Sequence, residues 1–230
     1  IKKIYKIYKS MKKKVFIAID TTDLKKAKRI IAQSQTNKIK IGYKFGLMFM
    51  NSKKGRQFVS KLRNKTIFVD LKLNDTVQQM LSAVKALKDL KIDYLTVHIS
   101  SGLAALKAVK KVSGSRLNIV GVSTLTSLDN KDLKLIGYNR SVKNLVAHQA
   151  KLAKQAGLDA LVCSPFEVNI VRKIFKKEII TPGVQMGKKN YGQKRSMESK
   201  KINSDWLVAG RAVTRGSVKR NIQKLIKSLN

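Results

Sequence analysis

The chain alternates short apolar runs with longer segments of helical periodicity, and this alternation limits its possible folds more than any other feature. The runs are rich in Val, Ile and Leu without a strict polar alternation, which is typical of parallel strands buried on both faces. Candidate strands are 15–20, 39–43, 66–72, 94–99, 117–123, 160–164, 179–184 and 206–210. Candidate helices are 24–35, 51–63, 76–91, 102–112, 141–156, 166–175, 195–202 and 217–229.

Eight strand–helix pairs in one mid-sized chain predict an α/β fold, a single (β/α)8 TIM barrel. The competing architecture is an open, doubly wound sheet, which usually has a glycine-rich turn after its first strand. Here that turn reads IDTTDL, which favours the barrel. We expect the barrel to occupy residues 11–230. Residues 1–10 share no pattern with the rest and are expected to form a disordered extension.

The charge of the chain is strongly basic, with 50 Lys and Arg against 13 Asp and Glu and a formal net charge of +37. Such a surface attracts nucleic acid electrostatically. The lysines are nevertheless spread along the whole chain, and few aromatic residues accompany them as stacking platforms. We therefore expect no specific nucleic-acid partner. The alternative from another functional class is a basic nucleic-acid-binding protein built on a barrel that has lost its catalytic activity.

Apolar runs and cysteine content bear on the location of the protein. No run approaches the roughly 18 apolar residues that cross a bilayer, so we expect no membrane association. Cys163 is the single cysteine, so an internal disulfide is excluded and a reducing compartment is favoured. These features predict a cytoplasmic protein.

Polar residues stand at the predicted strand ends, where barrel enzymes place their active sites. In chain order they are Asp20, Lys40, Asp70, Lys72, His98, Thr126 in the following loop, Ser164, Gly183, Gly210 and Arg211. Asp70 and Lys72 are two residues apart on a strand, so both side chains should point to one face. Their alternative role is a structural ion pair, and that of the nearby Asp75 is to cap a helix.

The histidines give little support to a metal site. His98 stands at a strand end and His148 on a helix, with no acidic cluster near either in the sequence. We expect both to be structural and predict no metal ligands.

The segment DLKLND at 70–75 resembles the Asp-x-Lys-x-x-Asp signature of the orotidine 5'-phosphate decarboxylase family. Eight further segments are similar to bacterial members of that family, in the same order and with similar spacing. They are AID at 18–20, KIG at 40–42, TVHISSG at 96–102, TLTSL at 124–128, GLDALVCSP at 157–165, TPGV at 181–184, GQKRSM at 192–197 and GRAVT at 210–214. The resemblance covers residues 15–225.

This resemblance implies a homodimeric enzyme that converts orotidine 5'-phosphate to UMP, the last step of de novo UMP synthesis, without a cofactor. The implied charge network beside the scissile carboxylate consists of Lys40, Asp70, Lys72 and Asp75. Within it Lys72 would donate the proton, and Asp75 would reach the site of the other subunit. The implied substrate-binding residues are Asp20 for the ribose, Thr126 for the pyrimidine, and Gln193, Gly210 and Arg211 for the phosphate.

The chain departs from the family pattern at two positions. Gln79 stands where a ribose-binding threonine is usual, and Gln185 stands where an arginine usually contacts phosphate. Lys188 or Lys189 could supply the missing charge, as a point charge rather than a planar fork. These departures affect the expected substrate affinity more than the reaction type.

Mg²⁺-dependent members of the same suite are the nearest alternative. Sugar-phosphate decarboxylases and hexulose-phosphate synthases share the signature but need an additional acidic metal ligand near the second or fourth strand. Here the second strand is followed by Lys44 and Phe45, and the fourth strand carries no carboxylate. The sequence therefore favours the metal-free decarboxylase.

Overall fold

The computed structural model describes residues 14–185, 197–198 and 202–229, and eight parallel strands in it close into a barrel. The strands are β1 (Lys14–Ala18), β2 (Lys40–Gly46), β3 (Thr66–Leu73), β4 (Tyr94–His98), β5 (Asn118–Val122), β6 (Ala160–Val162), β7 (Glu178–Thr181) and β8 (Trp206–Ala209). Each strand pairs with its sequence neighbours, and β1 pairs with β8. The predicted (β/α)8 barrel is confirmed. The extension predicted at residues 1–10 lies outside the described residues.

Helices alternate with the strands along the chain. They are α1 (Leu24–Gln33), α2 (Leu47–Met50), α3 (Gly55–Ser60), α4 (Val77–Ala86), α5 (Leu103–Ser113), α6 (Asn130–Leu135), α7 (Val142–Gln155), α8 (Val168–Ile174), α9 (Arg211–Thr214) and α10 (Val218–Leu229). A turn of 3₁₀ helix, Ile99–Ser101, follows β4. Most of the helix predicted near 195–202 lies outside the described residues, and within it Met197–Glu198 form a short strand parallel to Val184–Gln185.

Side-chain caps begin several of these helices. The carboxylate of Asp23 accepts hydrogen bonds from the backbone N–H groups of Lys25 and Lys26, at 2.8 and 3.2 Å. Ser141 caps α7 in the same way, through a 3.4 Å bond from the backbone of Asn144. Because Asp23 follows the carboxyl end of β1, its cap fixes where the chain turns away from the barrel mouth.

The interior of the barrel is filled by side chains. Phe16 and Trp206 stack with their ring centroids 3.9 Å apart, and Phe68 and Tyr94 pack against Phe16 at 4.9 and 5.3 Å. A Cβ added at Gly42 would lie 2.5 Å from the Phe16 ring, so only glycine allows this approach. A second apolar layer lies between the strands and the surrounding helices. The barrel is therefore a packed core rather than a pore.

A polar cluster closes the end of the barrel at which the strands begin. Glu178 accepts hydrogen bonds from Lys14 and Tyr94, each at 2.8 Å, and from the indole of Trp206 at 3.3 Å. Burial and the contact with Glu178 raise the pKa of the Tyr94 hydroxyl far above its ordinary value. This cluster satisfies the polar groups at the floor of the barrel, opposite the mouth where the strands end.

No helix within the described ranges is both long enough and apolar enough to span a membrane.

Candidate active site

The carboxylate of Asp70, near the carboxyl end of β3, is the centre of the candidate site. Its Oδ2 atom lies 2.9 Å from Nζ of Lys72 and 3.1 Å from Nζ of Lys44. Its Oδ1 atom accepts a hydrogen bond from the hydroxyl of Thr96, at 3.0 Å. Lys44 also lies 4.0 Å from the carboxylate of Asp20, which follows β1. Four strands thus contribute to one network of alternating charge.

Asp70 is held in its ionised form. It is only 8% exposed, and burial alone would raise its pKa. The positive charges of Lys44 and Lys72, and hydrogen bonds from both, outweigh burial and bring the pKa of Asp70 below its ordinary value of 3.8. A buried carboxylate is stable only with such partners. The two lysines therefore keep the Asp70 carboxylate ionised at the barrel mouth.

The structure corrects the prediction for Lys40, which does not lie in this network. β2 runs from Lys40 to Gly46 rather than ending near 43. Lys40 is its first residue and pairs with Lys14, the first residue of β1, so it lies at the end of the barrel opposite the mouth. Its Nζ lies 5.6 Å from the centroid of the Trp206 ring, at the floor of the barrel. The early strand end assigned from the sequence left Lys40 as the only lysine inside the predicted strand. Lys44 occupies the position expected of Lys40.

The backbone around Lys72 departs from regular strand geometry. Lys72 has a φ of 52°, in the left-handed region that side chains other than glycine rarely adopt. The pairing of β3 with β4 is irregular at this point, since Val69 pairs with Leu95 but Leu73 pairs with Val97. Two extra residues on β3 therefore form a bulge between Val69 and Leu73. The predicted proximity of Asp70 and Lys72 is found, although regular alternation does not produce it.

His98, the last residue of β4, lies close enough to the network to be affected by its charges. It is half-buried, and burial lowers the pKa of its imidazole. The positive charge of Lys72 lowers that pKa further, while Asp70 acts in the opposite direction. The neutral imidazole is therefore favoured beside the two ammonium groups.

Asp75 lies beyond the end of β3 and is not joined to the other charges by an ion pair among the described residues. It is exposed, and its carboxylate accepts a 2.6 Å hydrogen bond from the backbone of Thr76. Within the described part of the chain it forms no ion pair with any lysine or arginine. The N-cap of α4 is Thr76, whose hydroxyl accepts from the backbone of Gln79 at 3.4 Å. The structure thus gives the capping role considered for Asp75 to its neighbour.

Four of the five predicted substrate-binding residues are described, and they lie around the same mouth. A Cβ added at Gly210 would lie 3.8 Å from the carboxylate of Asp20, so the ends of β1 and β8 are in close contact. Arg211 follows as the exposed first residue of α9. Thr126 is half-buried in the loop after β5. Gln193 and the two loop lysines, Lys188 and Lys189, lie outside the described residues.

Sequence reasoning missed two members of the network, Lys44 and Thr96. A signal for Lys44 existed, because it lies four residues after Lys40 and an even spacing keeps both on one face of a strand. Thr96 was included only within a longer segment, and an apolar-looking strand gave no sign that its hydroxyl contacts Asp70. No group of three or more His, Cys, Asp and Glu side chains suited to a metal ion occurs in the described ranges.

Comparison with known sequences relates the chain to one family. The profile of the family described as Orotidine 5'-phosphate decarboxylase / HUMPS matches residues 13–223 of the chain. A protein of Wolbachia pipientis named orotidine 5'-phosphate decarboxylase is 40% identical over 225 residues, covering 94% of this chain and 98% of that relative. One of the same name from Ehrlichia canis is 34% identical, covering 94% of this chain and 97% of the relative.

Solved structures show the same architecture. The crystal structure of orotidine 5'-phosphate decarboxylase from Lactobacillus acidophilus superposes with a TM-score of 0.79 at 25% identity, covering 95% of this chain and 99% of that one. The enzyme from Methanocaldococcus jannaschii, complexed with the inhibitor BMP, superposes with a TM-score of 0.76. Its identity of 21%, over 96% of this chain and 99% of that one, supports the shared fold alone.

Proposed function

The chain belongs to the Orotidine 5'-phosphate decarboxylase / HUMPS family, and from this membership we propose that it converts orotidine 5'-phosphate to UMP and CO2. One observation carries the proposal at the level of chemistry. Two ammonium groups, those of Lys44 and Lys72, meet a single carboxylate oxygen of Asp70 at the barrel mouth, at 3.1 and 2.9 Å. This arrangement offers positive charge and a proton to a carbanion.

The reaction needs both of these. When the bond between the pyrimidine and its carboxylate breaks, CO2 departs and the electron pair stays on the ring carbon. Lys72 stabilises that carbanion electrostatically and then transfers a proton to the same carbon, which gives UMP. Asp70 orients the ammonium of Lys72, and Lys44 keeps Asp70 ionised. The residues of the chain supply every group in this scheme, so it requires no cofactor.

The remaining predicted residues bind the substrate in this proposal. Asp20 contacts the ribose hydroxyls, and Thr126 contacts the pyrimidine ring. The phosphate lies against Gly210 and Arg211, after β8, where barrels commonly bind phosphate. Gln193 completes this phosphate site. Binding energy from the phosphate then holds the distant carboxylate beside Lys72.

We assign Asp75 to the active site of a second subunit in a homodimer. Its exposed carboxylate, with no ion pair among the described residues, has room for a lysine from outside the chain. Large apolar side chains are exposed at the same end of neighbouring strands, with Leu47 and Met48 both 52% exposed and Val77 40% exposed. Exposed apolar residues of this size support a protein–protein interface. A cytoplasmic location belongs to the same proposal and agrees with a single, buried cysteine, which cannot form a disulfide within the chain.

The charges around Asp70 also favour a metal-free reaction over the Mg²⁺-dependent alternatives. The oxygen that would approach a divalent cation already contacts two ammonium groups, which repel such an ion. Mg²⁺ prefers oxygen ligands, whereas the groups in contact with Oδ2 of Asp70 are the ammonium nitrogens of Lys44 and Lys72.

The test is a direct assay of orotidine 5'-phosphate loss and UMP formation with EDTA-treated enzyme. We expect full activity with EDTA and no increase on addition of Mg²⁺. Lys72→Ala protein, purified in parallel, controls for contaminating decarboxylase. Activity that appears only with Mg²⁺ would favour the synthase class, and absence of UMP under both conditions would reject the proposal.

A further inference from the structure

The hydroxyl of Thr96 joins two residues of the candidate site. Thr96 lies in the middle of β4 and is fully buried, with 0% of its surface exposed. Its Oγ1 donates a hydrogen bond to Oδ1 of Asp70 at 3.0 Å and accepts one from the backbone N–H of Lys72 at 2.8 Å. One side chain on the neighbouring strand therefore holds both ends of the Asp70–Lys72 segment.

The bond to Lys72 compensates for a break in the sheet. β3 and β4 lose their regular pairing between Val69 and Leu73, so the N–H of Lys72 has no regular place in the strand ladder. A buried N–H without an acceptor is costly, and the Thr96 hydroxyl supplies that acceptor. It also braces Lys72 in its left-handed conformation, with φ at 52°. The hydroxyl thereby fixes where the Lys72 side chain leaves the backbone.

Because of the hydrogen bond from Thr96, the two oxygens of the Asp70 carboxylate have different partners. Oδ1 faces Thr96, while Oδ2 receives the ammonium groups of Lys44 and Lys72. A hydroxyl has one proton to donate, and here that proton goes to the carboxylate while a lone pair serves the Lys72 backbone. The orientation of the carboxylate and the backbone of the proton donor are thus set by the same atom.

We infer that Thr96 is a positioning residue of the decarboxylase site, which aligns Asp70 and Lys72 without touching the substrate. The inference rests on the proposed function for its kinetic consequences, but its structural content does not. A displacement of about 1 Å in a reacting group costs as much as 100-fold in rate. Loss of the hydroxyl should therefore reduce kcat and leave substrate binding at the phosphate largely intact.

The experiment compares Thr96→Val, which removes the hydroxyl and keeps the branched shape, with Thr96→Ser, which keeps the hydroxyl. Thr96→Ala provides a second variant without the hydroxyl in case the valine protein does not fold. Ser34→Ala is the matched control. Ser34 is also fully buried and its hydroxyl also makes two hydrogen bonds, one to the carbonyl of Ile31 and one with the hydroxyl of Tyr43, but it lies at the end of α1, outside the site.

We expect Thr96→Val to lower kcat roughly 10- to 100-fold with KM changed less than about threefold. The acid limb of its kcat profile should move to higher pH, because Asp70 loses a hydrogen bond to its ionised form. Thr96→Ser should recover most of kcat, and Ser34→Ala should keep both kcat and the pH profile. Crystal structures of the valine and alanine variants should show Lys72 leaving its left-handed conformation and its Nζ moving away from Asp70.

The inference would be overturned if kcat of Thr96→Val stayed within twofold of wild type, or if the geometry of Lys72 and Asp70 were unchanged in the variant structures. If Ser34→Ala lost as much kcat as Thr96→Val, the effect would be general destabilisation of the fold, and the inference would also be rejected. If the wild-type enzyme makes no UMP, the proposed function fails, and the variant structures alone then decide whether Thr96 positions the two residues.

Discussion

Lys44 and Asp70 extend from neighbouring strands and meet at the barrel mouth, with 3.1 Å between Nζ and Oδ2. The Lys44 side chain is only 14% exposed, so water screens this contact weakly. Asp70 also contacts Lys72, so its negative charge is shared between two ammonium groups. Without Lys44, the Asp70 carboxylate would pair with Lys72 alone. Lys44 is therefore expected to affect the chemistry directly, whereas Lys40 on the same strand is not.

The first prediction uses these two lysines as a matched pair. Lys44→Ala should reduce kcat by roughly 100-fold or more, the cost of removing one preorganised charge from an active site. Lys40→Ala, which makes the same change in side chain and charge at the floor of the barrel, should stay within about twofold of wild type. Steady-state kinetics on both variants measures this. Equal losses in the two variants would show that Lys44 has no special role.

The second prediction concerns the phosphate. Arg211→Ala should raise KM for orotidine 5'-phosphate roughly 10- to 100-fold, since a charge-assisted hydrogen bond to phosphate is lost. Orotidine, which lacks the phosphate, should be a very poor substrate for both proteins. Arg220→Ala, which removes an exposed arginine from α10, is the control for the change in net charge. A phosphate site at Arg211 would be excluded if both arginine variants had the wild-type KM.

The third prediction is a pH dependence of stability that comes from His98. Burial and the charge of Lys72 lower the pKa of His98 in the folded protein, while the unfolded chain keeps the ordinary value of 6.5. As the pH falls below that value, the unfolded chain takes up a proton before the folded protein does. The free energy of unfolding should therefore fall with decreasing pH in this window, and His98 contributes its full stabilisation only above it.

Urea denaturation between about pH 5 and 7.5 tests this dependence, since the lowered pKa of Asp70 places its titration at more acidic values. His98→Asn should show a shallower loss of stability over that range than the wild-type protein. His148→Asn, at an exposed position on α7, should behave as wild type. Identical slopes for wild type and His98→Asn would contradict the prediction.

The architecture could be predicted from the sequence because it depends on long-range periodicity. Eight apolar runs separated by helical segments have few compact solutions, and the barrel is found. The exact strand ends depend on a few residues each, and an error of three residues at the end of β2 exchanged Lys44 for Lys40. Apolar patterning could not resolve this, because Lys44 interrupts the pattern that marks the strand.

The local backbone geometry of β3 was the second feature that could not be predicted from the sequence. Alternation predicted that Asp70 and Lys72 share a face, and their charged groups do lie 2.9 Å apart. They meet through a bulge and a left-handed lysine, held by Thr96. Since the position with positive φ is a lysine and not a glycine, nothing in the local sequence marked an unusual conformation. The role of Gln193 remains a prediction, because it lies outside the described residues.

The last prediction tests whether Asp75 serves the site of a partner subunit. Lys72→Ala and Asp75→Ala proteins should each have little activity alone and should regain activity when their subunits are exchanged. In a mixed dimer, the site built on the Asp75→Ala chain keeps its own Lys72 and receives an intact Asp75 from the Lys72→Ala chain. The other site carries both substitutions. Random exchange makes about half of the dimers mixed, each with one intact site, so roughly a quarter of wild-type activity should return.

The comparison depends on verified exchange, which subunits carrying two different affinity tags and recovered by both in sequence would demonstrate. A mixture of Lys72→Ala with Lys44→Ala is the negative control. Both lysines come from the same chain as Asp70, so each site retains one lesion and no activity should return. If Asp75 acts within its own chain, its mixture with Lys72→Ala must behave like this control. Absence of recovery in verified mixed dimers would then remove Asp75 from the shared site.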